Sequence, residues 1–108
     1  MDANTLRGHL DLILLAILEP APLYGVRIIS EVEARTNGAF RLKAGTLYPA
    51  LHRLEKAGFI EGEVRPSDVG GPPRKYYRLT DQGRRDLARR QREWQRFAGA
   101  MRPFGGEA

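Results

Sequence analysis

The feature that most constrains this chain is a change of hydrophobic period near its middle. Leu47, Leu51 and Leu54 recur four and then three residues apart, which is the stripe of an amphipathic helix. Gly58 closes that run, and Phe59 to Val64 then reads as a strand. The stretch RPSDVGGPPR at 65–74 is too rich in Gly and Pro to be helix or central strand. KYYRL at 75–79 is β-prone and supplies a returning strand. A helix must therefore hand over directly to a hairpin with a long basic tip.

Upstream, a first helix is expected over about 6–19, stopped by Pro20. Leu6, Leu10, Ile13, Leu14, Ile17 and Leu18 make its stripe, and Leu12, Leu15 and Ala16 widen it beyond one face. A helix apolar nearly all round is buried nearly all round, which in a chain this small points to cover from a second copy. Pro22 suits the first position of a second helix, since its missing donor costs nothing there. That helix carries Tyr24, Val26, Ile28, Ile29 and Val32, with Gly25 in its first turn for close packing. It should stop at Asn37-Gly38, and Ala39 to Leu42 follow as a short extended piece.

The third helix starts near Lys43 or Ala44. With Gly58 just past its end, Leu54 and Phe59 are the pair that meets in a Schellman motif. Pro49 interrupts its stripe, removing a donor and crowding the carbonyl of Gly45. Thr80 is a good N-cap for a last helix over 81–101. Along it Leu87, Trp94 and Met101 repeat every seven residues and are joined by Phe97, a narrow seam of the coiled-coil kind. The expected organisation is a DNA-binding domain at 1–80, a dimerisation helix at 81–102 and a flexible tail at 103–108.

The fold class is thus mainly α with a small β-hairpin, an α+β arrangement. Three helices followed by a two-stranded hairpin is the winged form of the helix-turn-helix. In that form the third helix enters the major groove and the hairpin lies along flanking backbone.

Several segments carry a family likeness. LYG (23–25), GTLYPAL (45–51), RLE (53–55), AGFI (57–60), and RKYYRLT with Gly83 (74–80 and 83) resemble the PadR-like transcriptional regulators in order and spacing. The resemblance implies a homodimeric winged-helix repressor whose last helix pairs with the first helix of its partner. It also implies release from DNA by a small, often aromatic, molecule in some members. Many members carry Ser where this chain has Lys43. Lysine cannot accept from the helix amides, so the third helix lacks a side-chain cap.

DNA contacts are expected from Thr46, Tyr48, Pro49 and Arg53 on the third helix, and from Arg74, Lys75 and Tyr76 at the root of the hairpin. Thr46 and Pro49 lie in the front half of the helix, the part that reaches base edges. Arg53, Arg74, Lys75 and the tyrosine hydroxyls are suited to phosphates, which position without reading sequence. Dimer contacts are expected from Leu6, Leu10, Leu14, Leu87, Trp94, Phe97 and Met101, and Trp94 is also the candidate wall of an effector pocket.

Charge agrees with an anionic partner. The net charge is +5; residues 65–108 hold 11 Lys/Arg against 5 Asp/Glu, whereas residues 1–64 hold 7 against 8. The expected partners are therefore a palindromic DNA operator and a second copy, with a small aromatic effector and no membrane. There is no cysteine, and the apolar run at 10–18 is too short to cross a membrane, so a cytoplasmic protein is expected. No catalytic constellation and no cofactor site is visible: GGPP at 70–73 lacks the amides of a phosphate cradle, and His9 and His52 have no metal-ligand spacing. A wing fold used for protein interaction, or for non-specific architectural DNA binding, is the alternative.

Overall fold

A computed structural model describes residues 3–67 and 69–106, with side chains from residue 9 onward. Helix α1 spans Ala3–Leu18, followed by a short strand β1, Leu23–Tyr24, and helix α2, Gly25–Arg35. Helix α3, Ala44–Lys56, leads into strands β2, Ile60–Arg65, and β3, Arg74–Leu79. Helix α4, Asp81–Met101, ends in a 3₁₀ turn at Arg102–Phe104. The three strands form one antiparallel sheet in the order β1-β3-β2.

Local chemistry explains most boundaries. At the end of α2, Asn37 and Gly38 take positive φ of 51° and 80°. At the end of α3, Gly58 has φ 85°, the Phe59 amide donates to the Leu54 carbonyl at 3.0 Å, and the Gly58 amide donates to the Glu55 carbonyl at 3.0 Å. Those two bonds are the Schellman closure expected there. Lys43 sits at the N-cap of α3 without a side-chain bond to the helix, and the helix runs through Pro49 unbroken.

Thr80 ties three elements together. Its Oγ1 accepts from the Gly83 amide at 3.0 Å, capping α4, and donates to the Gly58 carbonyl at 2.7 Å. Gly83 must be small, because a Cβ there would lie 2.9 Å from the Phe59 carbonyl carbon. The opening turns of α4 are consequently part of the body, with Gly83 and Leu87 buried.

One strand was misplaced by the sequence reading. The stretch Ala39–Leu42 forms no strand; the third strand is Leu23–Tyr24, paired with Tyr77 and Tyr76. Helix α2 therefore begins at Gly25, with Tyr24 as an extended N-cap, and not at Pro22. Pairing to residues more than fifty positions away outweighs the local preference of Pro22 for a helix start.

Most of the inward face of α1 is buried within one chain. Helix α1 packs against α2, α3, β3 and α4 of its own chain. Leu10, Leu14 and Leu87, expected at a dimer surface, are 4%, 0% and 1% exposed within this chain's core. For these three leucines the expectation is corrected, since α2, α3, β3 and α4 of the same chain bury them, whereas Leu12, Ile13 and Ala16 of α1 stay only partly buried. The side chain of Leu6 lies outside the described residues.

The far end of α4 is different. Every described residue from Gln91 onward is exposed. The Cα radius of gyration, 15.1 Å, exceeds the roughly 13 Å of a compact chain this long. The long axis reaches 50 Å. No described helix is long and apolar enough to cross a membrane.

Candidate nucleic-acid interface

The outer side of α3 is set by its inner one. Leu47, Ala50, Leu51 and Leu54 are buried, which leaves Thr46, Tyr48, Pro49, His52 and Arg53 facing out. Tyr48 does not project freely. Its ring lies over Gly25 at the start of α2, where a Cβ would come within 2.7 Å of the ring carbon that bears the hydroxyl. The LYG segment and the tyrosine of α3 are thus two halves of one contact.

The root of the hairpin arrives at the same place. Tyr24, Gly25, Val26, Tyr48, Arg74, Lys75 and Tyr77 line an open cavity of about 360 Å³. It joins the front of α2, the front of α3 and the wing. Three of the expected DNA-contacting residues, Tyr48, Arg74 and Lys75, are therefore neighbours. Positive charge on the wing and the positive end of α2 both favour an anion there.

The cations of the wing are aimed by their neighbours. Lys75 Nζ bonds Glu55 of α3 at 3.2 Å, and the other Glu55 oxygen accepts from the Gly62 amide at 3.2 Å. Glu55 thereby fixes the wing to the recognition helix. On the opposite sheet face, Arg74 lies 4.3 Å above the Tyr24 ring and Arg65 lies 4.1 Å above that of Tyr76. Arg78 pairs with Glu61 across the strands. Burial, the largest influence, pushes the Tyr77 hydroxyl up.

Away from this surface, α1 and α4 leave a second cavity of about 260 Å³, lined by His9, Leu12, Arg90, Glu93, Trp94 and Phe97. His9 meets the Trp94 ring edge-on, with centroids 5.1 Å apart.

Residues 14–89, which include α3, both strands of the wing and the start of α4, match the PadR-like transcriptional regulator family model. The chain belongs to the PadR-like family. It is 40% identical over 92 residues to an uncharacterized protein of Lysinibacillus sphaericus, covering 85% of this chain and 84% of that one. The structure of a transcriptional regulator from Clostridium thermocellum matches with a TM-score of 0.86 at 28% identity, over 97% of this chain and 98% of that one. A PadR family transcription regulator from Clostridium difficile matches with a TM-score of 0.79 at 34% identity, over 92% of this chain and 100% of that one.

As a PadR-like regulator the chain binds DNA to control transcription, and the winged helix-turn-helix expected from its sequence is its fold. Two expected contact residues are used otherwise in this PadR-like chain. The fork of Arg53 is occupied by Asp11, with both nitrogen-to-oxygen distances at 2.8 Å. These bonds hold the guanidinium in its charged form and push its pKa up. Tyr76 is only 4% exposed, its ring covered by Tyr24 and Arg65. β1 and the Arg65 side chain close the sheet face from which Tyr76 would otherwise reach DNA.

Nothing in the sequence singles out Val26, named only among the apolar residues of the second helix, which is 62% exposed beside the cavity. Sequence reasoning also missed Asp11 and Glu55 as organisers. For Glu55 the RLE segment was the only available signal.

Proposed function

We propose that this chain is a homodimeric repressor that binds a palindromic operator through α3 and the wing. Thr46, Tyr48 and Pro49 supply contacts from the front of α3, and Arg74 and Lys75 grip the neighbouring phosphates. Arg53 and Tyr76 are left out of this set, since one holds Asp11 and the other is buried. Two copies of α3 held about 34–36 Å apart would read half-sites one helical turn apart. Occluding a promoter in this way requires no chemistry.

The observation that carries this reading is the bare end of α4. Trp94, Phe97 and Met101 are 44%, 55% and 45% exposed along one side of that helix end, where among the described residues only His9 and Leu12 of α1 come near the two aromatic rings. An apolar seam of this kind is stable when a second helix covers it. Trp94 also offers a flat face beside the α1/α4 cavity, which supports a planar aromatic effector as the releasing signal.

Gel shifts on DNA from the chain's own upstream region, run with sedimentation of the free protein, test the proposal. Salt-sensitive binding to one short site by a dimer is the expected result. Binding without sequence preference would replace it with an architectural role. The chain has a single Trp, so its fluorescence reports the effector arm directly. A flat response to aromatic compounds shown independently to bind would remove Trp94 from the pocket.

A further inference from the structure

The recognition helix and the dimer helix are joined by one carboxylate. Asp11, on α1, accepts both arms of Arg53 from α3 at 2.8 Å and a third contact from Arg90 of α4 at 3.4 Å. Its side chain is 17% exposed and that of Arg90 is 28% exposed, so the junction is shielded on two of its three sides. Arg90 is itself held: its Nε donates to Asp86 at 2.6 Å, and Asp86 also accepts from Arg89, which reaches on to Glu93. Arg90 cannot swing away without giving up Asp86 as well.

The location gives the junction its meaning. Arg90 is the last described residue of α4 that is not exposed, although Trp94 one turn further on still meets His9 of α1. Arg90 therefore marks the root of the exposed stretch of α4. Apolar packing of α1 against α3 and α4 resists separation but tolerates sliding and rotation. A bidentate guanidinium–carboxylate pair fixes orientation as well as distance. A network with shielded members also retains more of its strength than an isolated exposed pair.

We propose that Asp11 is a positioning residue for DNA recognition, clamping α3 to the root of α4 so that the dimer helix sets the separation of the two recognition helices. This rests on the homodimer proposed above. Loss of the clamp leaves each winged helix folded but lets it rock on α4, so the spacing of the half-sites is no longer enforced. The clamp also places Arg90, a wall of the α1/α4 cavity, one carboxylate away from α3.

The absence of natural cysteine permits a clean measurement. A spin label on His52→Cys, at an exposed position of α3, reports the distance between the two copies in the DNA-free dimer. One narrow distance distribution is expected for this parent. Asp11→Asn should broaden or shift it, and so should Arg90→Gln, which leaves the Arg53–Asp11 pair intact. A second readout is operator preference: the parent should discriminate against operators with one base pair added between half-sites, and Asp11→Asn should lose that discrimination. A purely structural role would lower the Tm while leaving distance and spacer preference unchanged. A folded, dimeric Asp11→Asn protein with the parent's distribution overturns the proposal, and if that variant does not fold, Arg90→Gln decides by the same criterion. No dipolar signal from the parent would mean no dimer, which overturns the homodimer and the clamp together.

Discussion

A Cβ on Gly25 would lie 2.7 Å from the Tyr48 carbon that carries the hydroxyl, so the glycine opening α2 and the tyrosine of α3 exist for each other. Gly25→Ala is expected to push the Tyr48 ring outward. The cost should be about 1–3 kcal/mol in urea melts, typical of overpacking, with weaker operator binding. In a Tyr48→Ala background most of that penalty should vanish. An equal penalty in both backgrounds would place the glycine's role elsewhere.

Pro49 is the sixth residue of α3, and it crowds the carbonyl of Gly45, a flexible residue where even an added Cβ would meet nothing within 4 Å. Pro49→Ala restores one helical hydrogen bond and should stabilise the free protein by about 1–3 kcal/mol. Operator affinity should change at the same time, because the apolar ring is lost from the exposed front of the helix. Denaturation and gel shifts on the same preparation separate the two effects. Unchanged affinity would make the proline a structural accident.

Lys75, at the wing root, is drawn toward α3 by Glu55 and is proposed to bind phosphate. Lys75→Ala should weaken operator and random DNA by similar factors. The slope of log affinity against log salt should fall by about 1. A large loss confined to the operator would mean that Lys75 reads bases.

The network at the root of α4 predicts an acid dependence. Burial pushes the Asp86 carboxyl up, but hydrogen bonds from Arg90 and Arg89, with the charges of both, outweigh it and leave the group below its ordinary range. The folded state therefore holds this proton less tightly than the unfolded chain does. Its stabilising contribution is fully present above the ordinary aspartate value near about 4 and is lost as pH falls through the lower folded value. Asp86→Asn should cost roughly 1–2 kcal/mol at neutral pH. That cost should shrink between about pH 5 and pH 2, as urea melts across the range would reveal.

What the sequence determined by itself was whatever is decided within a few residues. The closure of α3 at Gly58, the cap at Thr80, the span of α4 and the hairpin all follow from positive φ, a missing donor or a hydroxyl three residues from an amide. The exposed front of α3 followed from the period of its leucines. Tertiary structure decided everything that needed a distant partner. Leu23–Tyr24 became a strand because β3 offered an edge, and Tyr76 was buried because that edge and Arg65 covered it. Leu10, Leu14 and Leu87 went to the chain's own core because four elements pack against α1. Arg53 looked like a phosphate ligand until Asp11, 42 residues away, took both of its arms. Local signals carry their own partners with them, whereas an ion pair or a strand edge has no signature until the chain has folded.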